Sequence, residues 1–136
     1  MKKIISMALV LIMLVCSVAT LTACGMPSDY KDAEANLKDA EYDVDVETTD
    51  AAIEFMLGLI GVEDAKANAM VSAEKDKDAI TIFYCEDKDT AKAVEEKLAE
   101  FVEEMAEEFE DYNEIEIGRD GEIVYFGTKQ AIKDAK

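Results

Sequence analysis

The stretch "AITIFYCE", residues 79–86, sets the architecture. Its side chains alternate as a strand's must, with Ile80, Ile82 and Tyr84 on one side and Phe83 and Cys85 on the other. A half-buried strand has one polar side, whereas both sides here are apolar. The segment is therefore expected in the middle of a sheet. The partners lie on either side of it in the chain. Upstream, "AKANAMVSAE" (65–74) is a strand of small residues, joined through the polar tetrapeptide Lys75-Asp76-Lys77-Asp78 as a hairpin. Downstream, "EIVYFG" repeats the two-sided apolar pattern, and Arg119-Asp120-Gly121 before it supplies the positive φ that a tight turn requires.

Helices separate these strands. Tyr30, Ala33, Leu37 and Ala40 recur at helical spacing, after which Tyr42, Val44 and Val46 alternate with Asp43, Asp45 and Glu47. This predicts a helix running into a half-buried strand. "TTDAAIEFMLGLIG" (48–61) is apolar nearly all round, with Ile53, Met56, Leu57 and Ile60 as the expected core stripe, Thr49 or Asp50 as its cap and Gly61 as its end. The longest helix is expected from Thr90 to Tyr112 behind an Asp89 cap. Val94, Leu98, Phe101, Met105, Phe109 and Tyr112 step by three or four, the stripe of a helix packed on a sheet. Thr128 caps a short last helix with Ala131 and Ile132.

The order α-β-α-β-β-α-β-β-α describes an α+β fold, an antiparallel sheet with helices packed on it. Its middle six elements match a ferredoxin-like split βαβ core, extended by terminal helices and a hairpin. Helices on one face alone would leave Phe83, Val124 and Phe126 bare opposite Ile80, Ile82, Ile123 and Tyr125. Either the first and last helices or a loop cover that second face, or part of it is open to a partner protein, a second copy or a peptide along an edge strand.

The amino terminus has the order of an export signal: Lys2 and Lys3, an apolar run from Ile4 to Val15, then small and polar residues up to Cys24. The run falls short of the about 20 apolar residues of a membrane span, and no positive cluster follows it. Leu21-Thr22-Ala23-Cys24 resembles the lipobox of bacterial lipoprotein signal peptides. That resemblance implies cleavage after Ala23 and a diacylglycerol thioether on Cys24. Cys16, behind the bulky Val15 and inside the apolar run, leaves with the signal. The alternative is an ordinary secretory signal with Cys24 a free thiol. The expected organisation is a signal peptide at 1–23, a short tether at 24–29 and one domain at 30–136.

With residues 1–23 removed, 12 basic side chains stand against 32 acidic ones, a formal charge of −20 over 113 residues. So negative a surface argues against nucleic acid, whose phosphates are bound by Lys and Arg. It also argues against adsorption to anionic lipid, leaving the lipid chains to hold the protein at the membrane.

Taken together, "ANLKDAEYDVDV" (35–46), "ITIFYCEDKDTAKAVEEKL" (80–98) and "GRDGEIVYFGTKQAIKDA" (118–135) are similar to blocks in small acidic lipobox-bearing proteins of gut-type anaerobic bacteria that carry a domain of unknown function. The resemblance spans most of the mature chain and implies no activity and no functional residues.

The chemistry the residues allow is narrow. Histidine is absent, which removes the usual general base near neutral pH, Ser-His and Cys-His pairs and ordinary zinc sites. No phosphate-binding glycine motif is present. Asp76 with Asp78 and Asp87 with Asp89 have carboxylate spacing suited to calcium, but neither continues as an EF-hand; a hairpin turn and a helix cap account for them. Cys85 is expected as a small buried hydrophobe with a raised pKa. The acidic side of the long helix, Glu95 to Asp111, is expected as a solvated face, with a basic partner or divalent cations as the alternative. No catalytic residue, cofactor or metal ligand is assigned, and Cys24 is the one site, for lipidation. The expected function is a membrane-anchored extracytoplasmic lipoprotein acting as a non-enzymatic interaction or accessory module. The alternative is one that binds a small ligand or a divalent cation such as calcium.

Overall fold

The computed structural model describes residues 25–63 and 65–136. The expected export signal and Cys24 lie outside the described residues. Helix α1 (Tyr30–Asp39) leads into β1 (Asp43–Glu47), α2 (Asp50–Leu59), the hairpin β2 (Ala67–Lys75) and β3 (Asp78–Cys85), then α3 (Lys88–Glu104). A second hairpin, β4 (Ile115–Asp120) and β5 (Ile123–Thr128), precedes α4 (Lys129–Ala135). All five strands join one antiparallel sheet in the order β1-β2-β3-β5-β4. β3 is central, as its two apolar sides require. The fold is α+β.

The connectivity inside that class departs from the ferredoxin-like expectation. β1 pairs directly and antiparallel with β2, and no strand lies between them. β1 presents Asp43, Asp45 and Glu47 on one side, which an interior position would bury beneath a helix, so it sits at the edge. A split βαβ is present one step later in the chain. β3 and β4, joined through α3, run parallel with β5 inserted between them. Gly127 permits the close approach of β5 to β3, since a Cβ there would lie 2.5 Å from the Ala79 carbonyl oxygen and 2.7 Å from Ile80 Cα. Gly121, at φ +63°, makes the β4–β5 turn.

Helices occupy both faces. α1 and α4 cover one: Leu37, Ala33, Ala131, Ile132 and Ala135 pack on Val71, Ile80, Ile82, Tyr84, Ile123 and Tyr125. The terminal helices thus shield the side of Ile80, Ile82, Ile123 and Tyr125, not that of Phe83, Val124 and Phe126 as expected. On the opposite face Ile53 and Leu57 of α2 with Ala91, Val94 and Leu98 of α3 pack on Met70, Phe83, Cys85 and Val124.

Three local expectations are corrected. α3 ends at Glu104 rather than Tyr112. Glu103, Glu104, Glu107, Glu108, Glu110 and Asp111 crowd its carboxyl end with no basic residue in the last turn, against both the macrodipole and like-charge spacing. Residues 105–112 continue as successive turns closed by bonds such as Glu108 N–H to Met105 O and Tyr112 N–H to Phe109 O. The cap of α3 is Asp87, not Asp89, its Oδ1 accepting the Thr90 N–H at 2.7 Å. The expected tether is part of the domain from Met26 onward. Met26 is buried in the α1/α4 core, and its N–H donates to Asp120 Oδ2 at 2.7 Å. The Tyr84 hydroxyl donates to Pro27 O at 2.9 Å, and Asp29 caps α1 through the Lys31 N–H. A flexible thioether side chain fills core gaps readily, and this one fastens the segment down.

Candidate functional site

The two faces differ in how far their helices reach. Over β1, β2 and β3 the α2/α3 face is closed at the Met70–Phe83 level and open toward the β2–β3 turn. α3 lies over β5 and β4 and stops at Glu104. The turns after it fold onto the sheet edge-on, with Phe109 against Phe101 at 6.3 Å and Phe126 at 6.4 Å between ring centroids, both T-shaped. Tyr112 donates its hydroxyl to Glu74 Oε1 at 3.1 Å, and Asn113 bonds Asp78 Oδ1 and Lys77 O, so these turns are stitched to the β2–β3 hairpin. The bond to Glu74 raises the Tyr112 phenol above its ordinary pKa, keeping it a donor.

Between these turns and the strands lies a hollow of about 150 Å³ lined by Ala79, Thr81, Phe109, Tyr112, Ile115 and Phe126. It adjoins a shallower one of about 300 Å³ over Asp43, Asp45, Ser72, Glu74 and Thr81. The floor is small and polar: Ser72 and Thr81 hydroxyls face each other across the β2–β3 pair at 3.4 Å. One wall is aromatic and the other carboxylate. Such a trough suits a cationic, partly apolar segment lying across the strands, because rings and carboxylates both attract cations.

The known proteins give no parallel. Comparison with protein families, curated proteins and solved structures finds no match.

The candidate residues singled out in the sequence fall elsewhere. Cys85 is buried, with Sγ directed at Phe83 O. Burial, with Asp87 and Glu122 nearby, pushes its thiol up to about 12, so it stays protonated and inert as a nucleophile. Asp87 spends its carboxylate on the Thr90 N–H, which holds its pKa below the ordinary range. Asp78 accepts from Asn113. Among the described residues no three His, Cys, Asp or Glu side chains are grouped to hold a metal ion, and no helix is long and apolar enough to cross a membrane. The trough itself is signalled in the sequence only by the apolar Phe126 and the acidic side of β1. Its walls depend on where α3 stops.

Proposed function

We propose that the protein is a lipid-anchored extracytoplasmic interaction module. A thioether lipid on Cys24 holds the domain at the outer face of the cell membrane, and the trough beside Phe109 and Phe126 receives a basic, partly apolar segment of an envelope protein. The observation that carries this is the Leu21–Cys24 lipobox, placed behind Lys2, Lys3 and the apolar run. The trough adds support through its chemistry, with rings along one side and Asp43, Asp45 and Glu74 along the other. Recognition rather than bond-making fits the residues present, because no base, nucleophile and oxyanion donor come together there.

Mass spectrometry of the protein extracted from membranes tests the anchor. A chain beginning at a diacylglyceryl-modified Cys24 is expected, and an unmodified Cys24 or another first residue overturns it. A photo-crosslinker at position 81 tests the trough. A discrete envelope partner lost in Phe126→Asp is expected. Crosslinking unaffected by that change removes the trough from the proposal, and a crosslink to a second copy replaces the partner with self-association.

A further inference from the structure

β1 is an edge strand whose charges the fold leaves unmatched. The sheet runs β1-β2-β3-β5-β4, so among the described residues no strand pairs with the outer edge of β1. Alternation puts Asp43, Asp45 and Glu47 on the α2/α3 side of the sheet, in line with Glu74, Ser72 and Met70 of β2. Val44 and Val46 point the other way, half-buried against the margin of the α1/α4 core.

The acidic side carries a conflict. Asp43 stands directly opposite Glu74, and like charges in that position oppose pairing. Lys75, the next residue of β2, does not relieve them, because its Nζ donates to Ala40 O and lies over the Tyr42 ring. Glu47 is occupied locally, its Oε1 accepting the Thr48 and Thr49 N–H groups. Among the described residues no ion pair includes Asp43, Asp45 or Glu74. The other edge strand, β4, is different: its Arg119 pairs with Glu95 at 3.5 Å, and its Asp120 accepts the Met26 N–H. Charges that only guard an edge against aggregation need to face outward. The opposition of Asp43 and Glu74 lies within the sheet's own ladder, where it adds nothing to such a guard.

We propose that the free edge of β1 takes up an extended segment of a partner protein as an added strand, in which Lys or Arg alternates with apolar residues. The segment's main chain pairs with the open N–H and C=O groups of β1. Its basic side chains stand opposite Asp43, Asp45 and Glu47, supplying the countercharge that the fold lacks, and its apolar ones extend the core margin at Val44 and Val46. Charge disfavours a second copy as the occupant. Antiparallel pairing of two β1 strands about Asp45 would oppose Asp45 to Asp45 and Asp43 to Glu47, and parallel pairing in register would align the same acids. The edge shares Asp43 and Asp45 with the far wall of the trough, but strand addition there uses neither Phe109 and Phe126 nor the lipid anchor.

The probe is a blocked hexapeptide alternating Lys and Val, titrated into the isotope-labelled full chain in a neutral detergent and followed by amide NMR. Shifts centred on β1, with slowed hydrogen exchange of the β1 amides that face away from β2, are expected. The double substitution Asp43→Asn and Asp45→Asn should weaken binding roughly 2- to 30-fold, the range that two opposed pairs allow. Phe126→Asp should leave it unchanged. A peptide N-methylated at every residue keeps the charge and loses the main-chain donors, so it should not bind. Equal binding of that peptide would reduce the contact to charge attraction and overturn the proposal. Shifts centred on Phe109 and Phe126, lost in Phe126→Asp, would assign the peptide to the trough and overturn it too. So would the absence of any shift at millimolar peptide, or β1 amides protected without peptide together with a dimer mass in sedimentation.

Discussion

On the α1/α4 face, side chains from Met26 through Ala135 close a core around Leu37, Val71 and Ile82, and the amino-terminal segment is drawn into it. On the α2/α3 face, the core around Leu57, Leu98 and Val124 extends along only part of the strands, Phe126 is half-buried, and Phe55, Met56 and Leu59 are left at the surface of α2. The same strands build both faces, so the difference comes from the helices. The terminal helices pack against each other as well as on the sheet; α2 and α3 are connections whose lengths are set by other demands. One face is spent on stability, and the other keeps apolar surface in reserve.

Substitutions can break this comparison. Ile82→Ala, in the closed core, is expected to cost about 2–5 kcal/mol in urea unfolding. Phe126→Ala, half-buried beside the trough, should cost clearly less. Equal losses would mean that the two faces are equally packed. Gly127→Ala drives a methyl into the β3 backbone and should cost about 1–3 kcal/mol through overpacking, read as a lower midpoint in the same experiment. Thr128→Val tests the seam beyond it. Its buried hydroxyl accepts from the Ala79 and Ala131 N–H groups at 3.3 and 3.4 Å, and leaving these donors unpaired should cost about 1–3 kcal/mol.

Cys85 reports on the closed part of the α2/α3 face. Its thiol is raised in the folded state, so its contribution to stability is fully present below about pH 9 and is lost as pH rises toward about 12. With Cys16 and Cys24 replaced by Ser, thiol labelling at neutral pH should await unfolding. Rapid labelling of the folded protein would show that end of the face to be open as well. The smallest effect is expected at Leu59→Ser, within about 0.5 kcal/mol of the parent because the side chain supports no core. A large loss there would show that α2 needs its outer stripe to fold.

How much of this was legible in the sequence depends on whether one segment decides the question. β3 shows its central place by itself, since Ile80, Ile82, Phe83 and Cys85 exclude an edge. α2 shows that it is apolar but not which side faces inward. Its near-uniform composition offered Met56 as readily as Ile53, and only the approach of β2 and α3 selects Ile53 and Leu57. The stripe of α3 ran on through Phe109 and Tyr112 because apolar spacing survives in the turns after Glu104, while the acidic crowding that ends the helix is a cumulative electrostatic effect. The ferredoxin-like order failed for a similar reason: pairing partners are chosen among strands, and element order alone does not rank them. The trough combines all of these outcomes, so its residues were visible singly and its shape was not.

The fastening of Met26 has a mechanical consequence. A pull on the amino terminus does not first unwind α1. It meets the Asp120 carboxylate on the β4–β5 turn, the Tyr84 hydroxyl on β3 and the apolar pocket around Met26, three supports on separate parts of the sheet's end. Load entering there is shared across several strands before any one can peel.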